Sequence, residues 1–234
     1  MEELKLRDTA FDSADSSIIA DKIVVGRDFK MGKNVRINVR GKFVIGDFGR
    51  FGDDVTINAE EVTIGDHFYH YTNGLRIGGG GSQFPDAKIV IGDRCVLHNN
   101  YINLAQPVYI GNDVGLSPDV DIITHGFWQS VFEGYPTKYA RVDIGAGVIV
   151  GQRSMILPGV FIRSNIVIGA QSVVTKDLDR ENSIYAGNPA RFIKEIVPLD
   201  YVQRRQRLYD IIARYNFLAN GHAVAHYPYV EIPN

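Results

Sequence analysis

The chain has 234 residues, of which 45% are hydrophobic and 22% charged, and its formal net charge is -2 at pH 7. This length predicts one large domain or one domain with appendages, and the charge argues against a nucleic-acid-binding protein, which needs a basic face. The sequence has no apolar run of about eighteen residues, so we expect no transmembrane helix. Its one cysteine, Cys95, and an N-terminus without the apolar core of a signal peptide indicate a cytoplasmic protein.

Residues 1–20 precede any clear repeat, and we expect them to cap one end of the following domain. The sequence leaves open whether they form a strand or a helix. Their apolar residues, which could cover the open end of that domain, are Leu4, Leu6, Phe11, Ile18 and Ile19.

An apolar, mostly aliphatic residue recurs at every sixth position without a break from Ile144 to Val174, and the same six-residue spacing returns in shorter stretches from residue 25 onward. The period is neither the 3.6 residues of a helix nor the two residues of a strand. It is typical of a parallel β-helix, in which each hexad forms one side of a triangular coil, points its aliphatic residue inward and ends in a small corner pair. We therefore predict an all-β, β-helical domain over residues 21–196. The repeat residues are Val25, Met31, Ile37, Ile45, Phe51, Ile57, Ile64, Ile91, Leu97, Ile110, Leu116, Ile122, Ile144, Val150, Ile156, Ile162, Ile168 and Val174.

Residues 66–90 interrupt the repeat and predict a loop insertion. Four consecutive glycines, Gly78–Gly81, favour a flexible loop over a phosphate-binding loop, because no P-loop lysine or following helix accompanies them. The segment also holds an aromatic cluster that lacks a well-spaced carboxylate or cysteine, so we expect surface packing there and no metal site. The members of this cluster are His67, Tyr69, His70 and Tyr71.

A second insertion, residues 126–142, follows a break in the repeat after Ile122. His125 stands at the foot of this insertion, where a lone histidine is by default a surface or capping residue. Insertions at a coil corner project from the wall, and such loops often carry the chemistry. The insertion is rich in aromatic residues, which suit stacking against a sugar ring, and we expect Trp128 to contact an acceptor. The alternative is that these aromatics pin the loop to the wall.

The last part of the repeat carries four short motifs that resemble the hexapeptide-repeat acyltransferases. Within that superfamily the resemblance is to galactoside, maltose and xenobiotic acetyltransferases and to polysaccharide O-acetyltransferases, and it covers roughly residues 20–196. It implies a left-handed β-helix, a homotrimer with sites between subunits, and acetyl-CoA as the donor substrate. The motifs are Ile144–Gly151, Ile156–Val160, Ile168–Asp177 and Ala186–Arg191.

The resemblance also implies residue roles. Similar enzymes place their catalytic histidine at the step of His125, where an imidazole with a pKa near 6.5 can act as general base and contribute about 10² to 10⁴ in rate. An acceptor-binding asparagine of the galactoside enzymes aligns nearest to His98, and Asn100 could supply the amide instead. The donor contacts that we expect are Gly151, Gln152, Gly169, Ala170, Thr175, Lys176, Arg191 and Lys194.

Residues 197–234 follow a different pattern. Apolar residues at helical spacing from Leu199 to Leu218, closed by Asn220–Gly221, predict an amphipathic helix followed by a tail. The helix is expected to pack against the β-helix or a sister subunit, and binding to an anionic membrane surface is the alternative.

The sequence thus predicts an acetyl-CoA-dependent O-acetyltransferase acting on a sugar hydroxyl, in the assembly of a cell-surface polysaccharide. No Ser-His-Asp signature is evident, so direct attack is preferred to an acyl-enzyme. Two alternatives remain open. One is an N-acetyltransferase for an amino sugar on a nucleotide carrier, and the other is a non-catalytic β-helical scaffold.

Overall fold

A computed structural model describes residues 2–4, 15–126 and 129–220. The chain divides into two compact units, residues 1–196 and 197–234. The strands of the first unit are β1 Glu2–Leu4, β2 Ser17–Ala20, β3 Lys22–Val25, β4 Lys30–Met31, β5 Val35–Val39, β6 Lys42–Ile45, β7 Arg50–Phe51, β8 Val55–Ala59, β9 Glu61–Ile64, β10 Tyr69–His70, β11 Arg76–Gly79, β12 Lys88–Ile91, β13 Val96–Leu97, β14 Tyr101–Asn103, β15 Val108–Ile110, β16 Gly115–Leu116, β17 Asp121–Ile122, β18 His125–Gly126, β19 Lys138–Tyr139, β20 Val142–Ile144, β21 Ile149–Val150, β22 Met155–Ile156, β23 Phe161–Ile162, β24 Ile166–Ile168, β25 Val173–Val174, β26 Ser183–Ala186 and β27 Arg191–Glu195.

Three long sheets form the faces of a parallel β-helix of about eight turns, which confirms the predicted fold class. Face 1 has the order β1-β2-β5-β8-β11-β14-β17-β22-β25, face 2 the order β3-β6-β9-β12-β15-β20-β23, and face 3 the order β27-β26-β24-β21-β16-β13-β10-β7-β4. Each turn visits face 1, face 2 and face 3 in that order, so the chain has a 1–2 corner, a 2–3 corner and a 3–1 corner. Only the end strands β1 and β27 pair antiparallel within these sheets.

The repeat residues stack into columns inside the coil. Strand register aligns one inward residue per turn, and nearly all the predicted repeat residues are at most 3% exposed. Full burial of a Val, Leu or Ile side chain stabilises a fold by about 1.5–3 kcal/mol, so these columns form the core. The column on face 1 consists of Ile18, Ile37, Ile57, Ile77, Ile102, Ile122, Ile156 and Val174.

The 2–3 corner shows why a glycine and a polar residue follow the inward aliphatic. The Asp66 carboxylate accepts the backbone N–H of Asp47 on the preceding turn at 2.7 Å, and Asp93 accepts that of Asp66 at 2.9 Å. Asn112 continues the ladder by accepting the N–H of Asp93 at 2.9 Å. Backbone donors that the turn would leave unpaired are thereby satisfied from the next coil.

The first interruption of the repeat is shorter than the predicted span of 66–90. Residues 69–79 continue the coil, because β10 lies between β7 and β13 on face 3, and β11 lies between β8 and β14 on face 1. The extra chain on this turn lies between the end of β11 and the start of β12. The sequence pattern hid this turn because a histidine, His70, occupies an inward position that is apolar on the neighbouring turns, where Phe51 and Leu97 stand.

His70 is therefore part of the core, and the expected surface packing of its cluster is wrong for this residue, which is 1% exposed. Its Nδ1 accepts the N–H of Gly52 at 3.1 Å. Burial, with a smaller contribution from His98, lowers the pKa of His70 to about 4, because an interior site disfavours the charged ring.

The depressed pKa of His70 predicts a loss of stability in mild acid. An unfolded histidine binds its proton near pH 6.5, whereas the folded ring binds it only near pH 4, so the unfolded state takes up more protons between these values. The free energy of unfolding should fall by about 3 kcal/mol as the pH drops from about 6.5 to 4. Chemical denaturation across this range should show the loss in the parent chain and in the surface control His67→Phe. In His70→Leu, the free energy of unfolding should lose the part of its pH dependence that comes from this histidine. An unchanged pH dependence would contradict the lowered pKa of His70.

The second unit is described by one helix, α1 Tyr201–Asn220, where the sequence predicts it. Asp200 and Gln203 cap its N-terminus reciprocally. The Asp200 carboxylate accepts the N–H of Gln203 at 2.8 Å, and the Gln203 side chain accepts that of Asp200 at 3.1 Å. This capping box satisfies two backbone donors and explains where the helix begins.

Candidate active site

Both insertions leave the β-helix at the 1–2 corner. Gly79 ends β11, Asn103 ends β14, and His125 follows β17, so all three lie where face 1 gives way to face 2 on successive turns. The second insertion begins as a two-stranded ribbon, because β18 pairs antiparallel with β19. The two loops and the predicted catalytic histidine therefore lie together at the 1–2 corner.

His125 is half-buried, and the side chain of Asn103 holds its ring. The His125 Nδ1 lies 2.9 Å from the Asn103 Oδ1, which can only accept a hydrogen bond. Nδ1 therefore carries the ring proton in the neutral form, and Nε2 carries the lone pair. This is the tautomer that a general base acting through Nε2 requires.

Asn103 is itself fixed on all sides and is 1% exposed. Its Oδ1 also accepts the Thr124 hydroxyl at 2.5 Å and the N–H of Ala105 at 3.2 Å. Its Nδ2 donates to the carbonyl of Gly79. These bonds set which end of the amide faces His125, because an inverted amide would place N–H groups against other donors.

An aromatic ring covers one side of the imidazole, and a second one packs against the first. The Tyr139 ring stacks on the His125 ring with centroids 5.6 Å apart and planes at 21°, as the β18–β19 register directs. Phe84, from the first insertion, meets the Tyr139 ring edge-on at 6.4 Å. The two insertions therefore contact each other beside His125 and fix its orientation.

The glycine run Gly78–Gly81 is packed against this centre and is not a free loop. Gly80 has a φ of +68°, and a Cβ there would lie 2.5 Å from the Asn103 Nδ2 and 2.8 Å from the His125 Cε1. At Gly81, a Cβ would lie 2.4 Å from the Cα of Ala105. Gly80 must be glycine because its backbone passes directly over Asn103 and His125.

The residues predicted to bind the donor lie in three places. Thr175 and Lys176 are exposed at the 1–2 corner, two turns beyond His125. Arg191 and Lys194 are exposed on β27, at the end of face 3. The remaining four lie at the 3–1 corner, and these are Gly151, Gln152, Gly169 and Ala170.

The predicted acceptor residues His98 and Asn100 also lie at the 3–1 corner, away from His125. Asn100 is 1% exposed, its Nδ2 donates to the carbonyl of Ser117 at 2.8 Å, and its Oδ1 accepts the N–H of His98 at 2.8 Å. The amide of Asn100 therefore builds the turn, and this corrects the suggestion that it contacts an acceptor. His98 stays half-buried, and burial lowers the pKa of its ring. The third acceptor candidate, Trp128, lies outside the described residues.

Cys95 is buried in the wall of the β-helix. Its thiol lies 3.1 Å from the carbonyl oxygen of Gly111, and burial raises the pKa of the thiol. A buried thiol with a raised pKa is a poor nucleophile, since the thiolate is the reactive form.

Within the described ranges no group of three or more His, Cys, Asp or Glu side chains could hold a metal ion. In the same residues, no helix has the length and hydropathy of a membrane span.

Comparison with known proteins identifies relatives of one kind. No protein-family model matches the chain. Galactoside O-acetyltransferase of Escherichia coli strain K12 is 37% identical over 91 residues, which is 38% of this chain and 44% of that protein. Matches to the first curated relatives cover 59%, 44% and 53% of their lengths, so the chain spans about half the length of the curated relatives it matches.

Solved structures give the same result for the fold. The crystal structure of NeuO, a polySia-specific acetyltransferase, aligns over 86% of this chain and 99% of that chain, with 22% identity and a TM-score of 0.52. The structure of the polysialic acid O-acetyltransferase OatWY aligns over 78% of this chain and 85% of that chain, with 21% identity and a TM-score of 0.51. The chain's relatives and structural neighbours are hexapeptide-repeat acetyltransferases, which confirms the resemblance of its motifs.

Asn103 and Thr124 were not predicted from the sequence, whereas Tyr139 belongs to the aromatic insertion that was predicted. A signal for Asn103 does exist, because residues about one turn apart stack at the same corner. Asn103 precedes His125 by 22 positions and follows Gly79 by 24. Turns of unequal length conceal this alignment until the strand register is known.

Proposed function

We propose that the chain is an acetyl-CoA-dependent O-acetyltransferase that transfers an acetyl group to a sugar hydroxyl. The observation that carries this proposal is the His125–Asn103 pair, which presents a histidine lone pair at the corner where two insertions meet. The galactoside O-acetyltransferase relative supports the reaction type, and the motif resemblance supports acetyl-CoA as donor. No metal is needed in this mechanism.

In the proposed reaction, the Nε2 of His125 removes the acceptor hydroxyl proton as the oxygen attacks the thioester carbonyl. The carbon–oxygen bond forms, the tetrahedral adduct collapses, and the carbon–sulfur bond breaks. The imidazolium then gives its proton to the departing thiolate, which leaves as coenzyme A. Asn103 accepts the Nδ1–H throughout, so it keeps the tautomer and stabilises the charged ring.

The roles proposed for the other residues follow their chemistry. Lys176, Arg191 and Lys194 supply cations that suit the phosphates of coenzyme A. Gly151, Gln152, Gly169 and Ala170 offer backbone groups to its pantetheine arm, together with the side chain of Thr175. His98 and Trp128 remain the proposed acceptor contacts. We place the reaction in the cytoplasm, in the biosynthesis of a cell-surface polysaccharide, and the buried free thiol of Cys95 suits a reducing compartment.

The chemistry can be tested by coenzyme A release from acetyl-CoA in the presence of matched sugars. Each pair should share one ring and differ by a hydroxyl or an amine at one carbon. We expect turnover with the hydroxyl member of each pair and an acetyl ester in the product. Turnover restricted to the amine would identify an N-acetyltransferase. Failure of acetyl-CoA to raise the melting temperature would favour a scaffold, because a ligand bound only to the folded state must stabilise it.

A homotrimer with shared sites is also part of the proposal. His125 lies at the 1–2 corner and Ala170 at the 3–1 corner, so one chain does not bring all the proposed residues together. In a cyclic trimer, the 1–2 corner of one subunit can face the 3–1 corner of the next.

Subunit mixing gives this arrangement a quantitative test. His125→Ala removes the base, and Ala170→Trp blocks the exposed donor surface, so each variant alone should be inactive. Co-expressed in equal amounts, they should recover about one quarter of the parent activity, since a site needs an intact corner from each of two subunits. No recovery in mixed trimers would show that each chain contains its own complete site.

The proposed role of Asn103 as the hydrogen-bond partner of His125 can be tested through the pH dependence of kcat/KM. Asn103→Asp keeps an oxygen beside the His125 Nδ1 and adds a negative charge, which favours the imidazolium. The acid limb of the profile should therefore move to higher pH by about one unit or more. The control Asn38→Asp adds the same charge at an exposed position on face 1 and should leave the limb in place. Identical limbs in both variants would contradict the contact.

A further inference from the structure

Three buried polar atoms without a hydrogen-bond partner lie at the 3–1 corner, away from His125, the proposed base. They are the His70 Nε2, the Thr72 Oγ1 and the His98 Nδ1. The described residues contain no other buried side-chain nitrogen or oxygen without a partner. An unsatisfied buried donor or acceptor costs about 1–3 kcal/mol, so three of them on two adjacent turns need an explanation.

The three atoms belong to two adjacent turns. His70 pairs with Leu97 between β10 and β13, and His98 directly follows Leu97. Thr72 comes two residues after His70 in the same turn of chain. The Tyr71 ring, between them, meets the His98 ring edge-on at 5.8 Å.

The hydrogen-bond pattern assigns the proton on His70. The Gly52 N–H donates to its Nδ1, so the neutral ring must carry its proton on Nε2, which is the orphaned atom. Burial lowers the pKa of both His70 and His98, so both rings are neutral at physiological pH. The site therefore presents a donor at His70, an acceptor or donor at His98, and a hydroxyl at Thr72.

This pattern selects among possible occupants. A metal ion needs a bare nitrogen, and the His70 Nε2 carries a proton because Nδ1 is already an acceptor. An anion would bury a net charge between neutral groups, at a cost of several kcal/mol. A water molecule accepts and donates, and buried waters typically make about three hydrogen bonds at a cost of about 0–2 kcal/mol.

We infer that this corner holds one buried water molecule, which accepts the N–H of His70, donates to the His98 Nδ1 and bonds the Thr72 hydroxyl. The water also fixes the tautomer of His98. With Nδ1 accepting, the proton of that ring lies on Nε2, so His98 offers an N–H donor at its less buried edge. Any use of that donor for a sugar acceptor rests on the proposed function, whereas the water site does not.

A crystal structure of the full chain tests the site directly. One density peak should lie about 2.7–3.2 Å from all three atoms, without anomalous signal at metal absorption edges. Empty density, direct contact between the two rings, or a metal signal would overturn the inference. Nitrogen-15 NMR of the histidine rings at neutral pH should show His98 protonated on Nε2, and protonation on Nδ1 would equally overturn it.

A substitution of nearly equal shape separates a hydrated site from an empty one. With the water present, Thr72→Val removes one of its partners and should lower the melting temperature relative to Thr63→Val, an exposed control on face 2. In an empty site, Thr72→Val would remove an unsatisfied hydroxyl and raise the melting temperature, which would overturn the inference. These readouts do not involve acetyl transfer, so they are independent of the proposed activity.

Discussion

His125→Ala should lower turnover with acetyl-CoA by a factor of about 10² to 10⁴ while the protein folds normally. The ring is half-buried and points into the 1–2 corner, so its loss removes the proposed base but leaves the core columns intact. Coenzyme A release under saturating donor and acceptor should show the loss in kcat. KM for acetyl-CoA should change little, because the ring acts in the transition state.

His67→Ala is the matched control for this variant. His67 is an exposed histidine that stacks on Phe48 at 4.9 Å, at the 2–3 corner. Its substitution should leave kcat near the parent value. Near-normal turnover in His125→Ala, with melting temperatures equal in both variants, would remove His125 from the mechanism.

Gly80→Ala should reduce kcat by about 10², although Gly80 carries no side chain, because a displacement near 1 Å can cost that factor. A Cβ at this position would lie 2.5 Å from the Asn103 Nδ2 and 2.8 Å from the His125 Cε1. To relieve this overlap, either the backbone of the glycine run must move away or the His125–Asn103 hydrogen bond must break. Both outcomes disturb the tautomer and the orientation of the imidazole.

Gly74→Ala controls for backbone strain alone. Gly74 also has a positive φ, +101°, but the nearest atom to a Cβ there is 3.7 Å away, in Asn99. Both variants should lose stability from the strained backbone, and only Gly80→Ala should lose turnover beyond that. An equal loss of kcat in the two variants would mean that the contact with His125 has no catalytic consequence.

The fold could be predicted from the sequence because one physical requirement repeats along the chain. Each side of the coil needs an inward apolar residue and a tight corner, so the spacing of residues such as Ile144, Val150 and Ile156 defines the coil directly. The prediction failed at His70, where a polar residue is tolerated because the Gly52 N–H on another turn satisfies one of its nitrogens. That partner is visible only after the turns are stacked.

The candidate site could be predicted only in part, for a related reason. His125 stands out because it adjoins a break in the repeat. Asn103 lies outside both predicted insertions, and its contact with His125 depends on a strand register that the sequence alone does not show. The glycine run looked like a flexible loop for the same reason, since its close approach to Asn103 has no local signature. Asn100 was the alternative to His98 as an acceptor contact, but its amide is bound to the N–H of His98 and to the carbonyl of Ser117 on the next turn.

A crystal structure of the full chain with coenzyme A and an acceptor glycan would show whether His125 is the base. We predict that the thiol end of coenzyme A reaches the 1–2 corner. There, the His125 Nε2 should lie about 2.6–3.2 Å from the reactive hydroxyl, with Nδ1 still bound to Asn103. Coenzyme A docked with its thiol at another corner, or a hydroxyl whose nearest base is a different side chain, would contradict it.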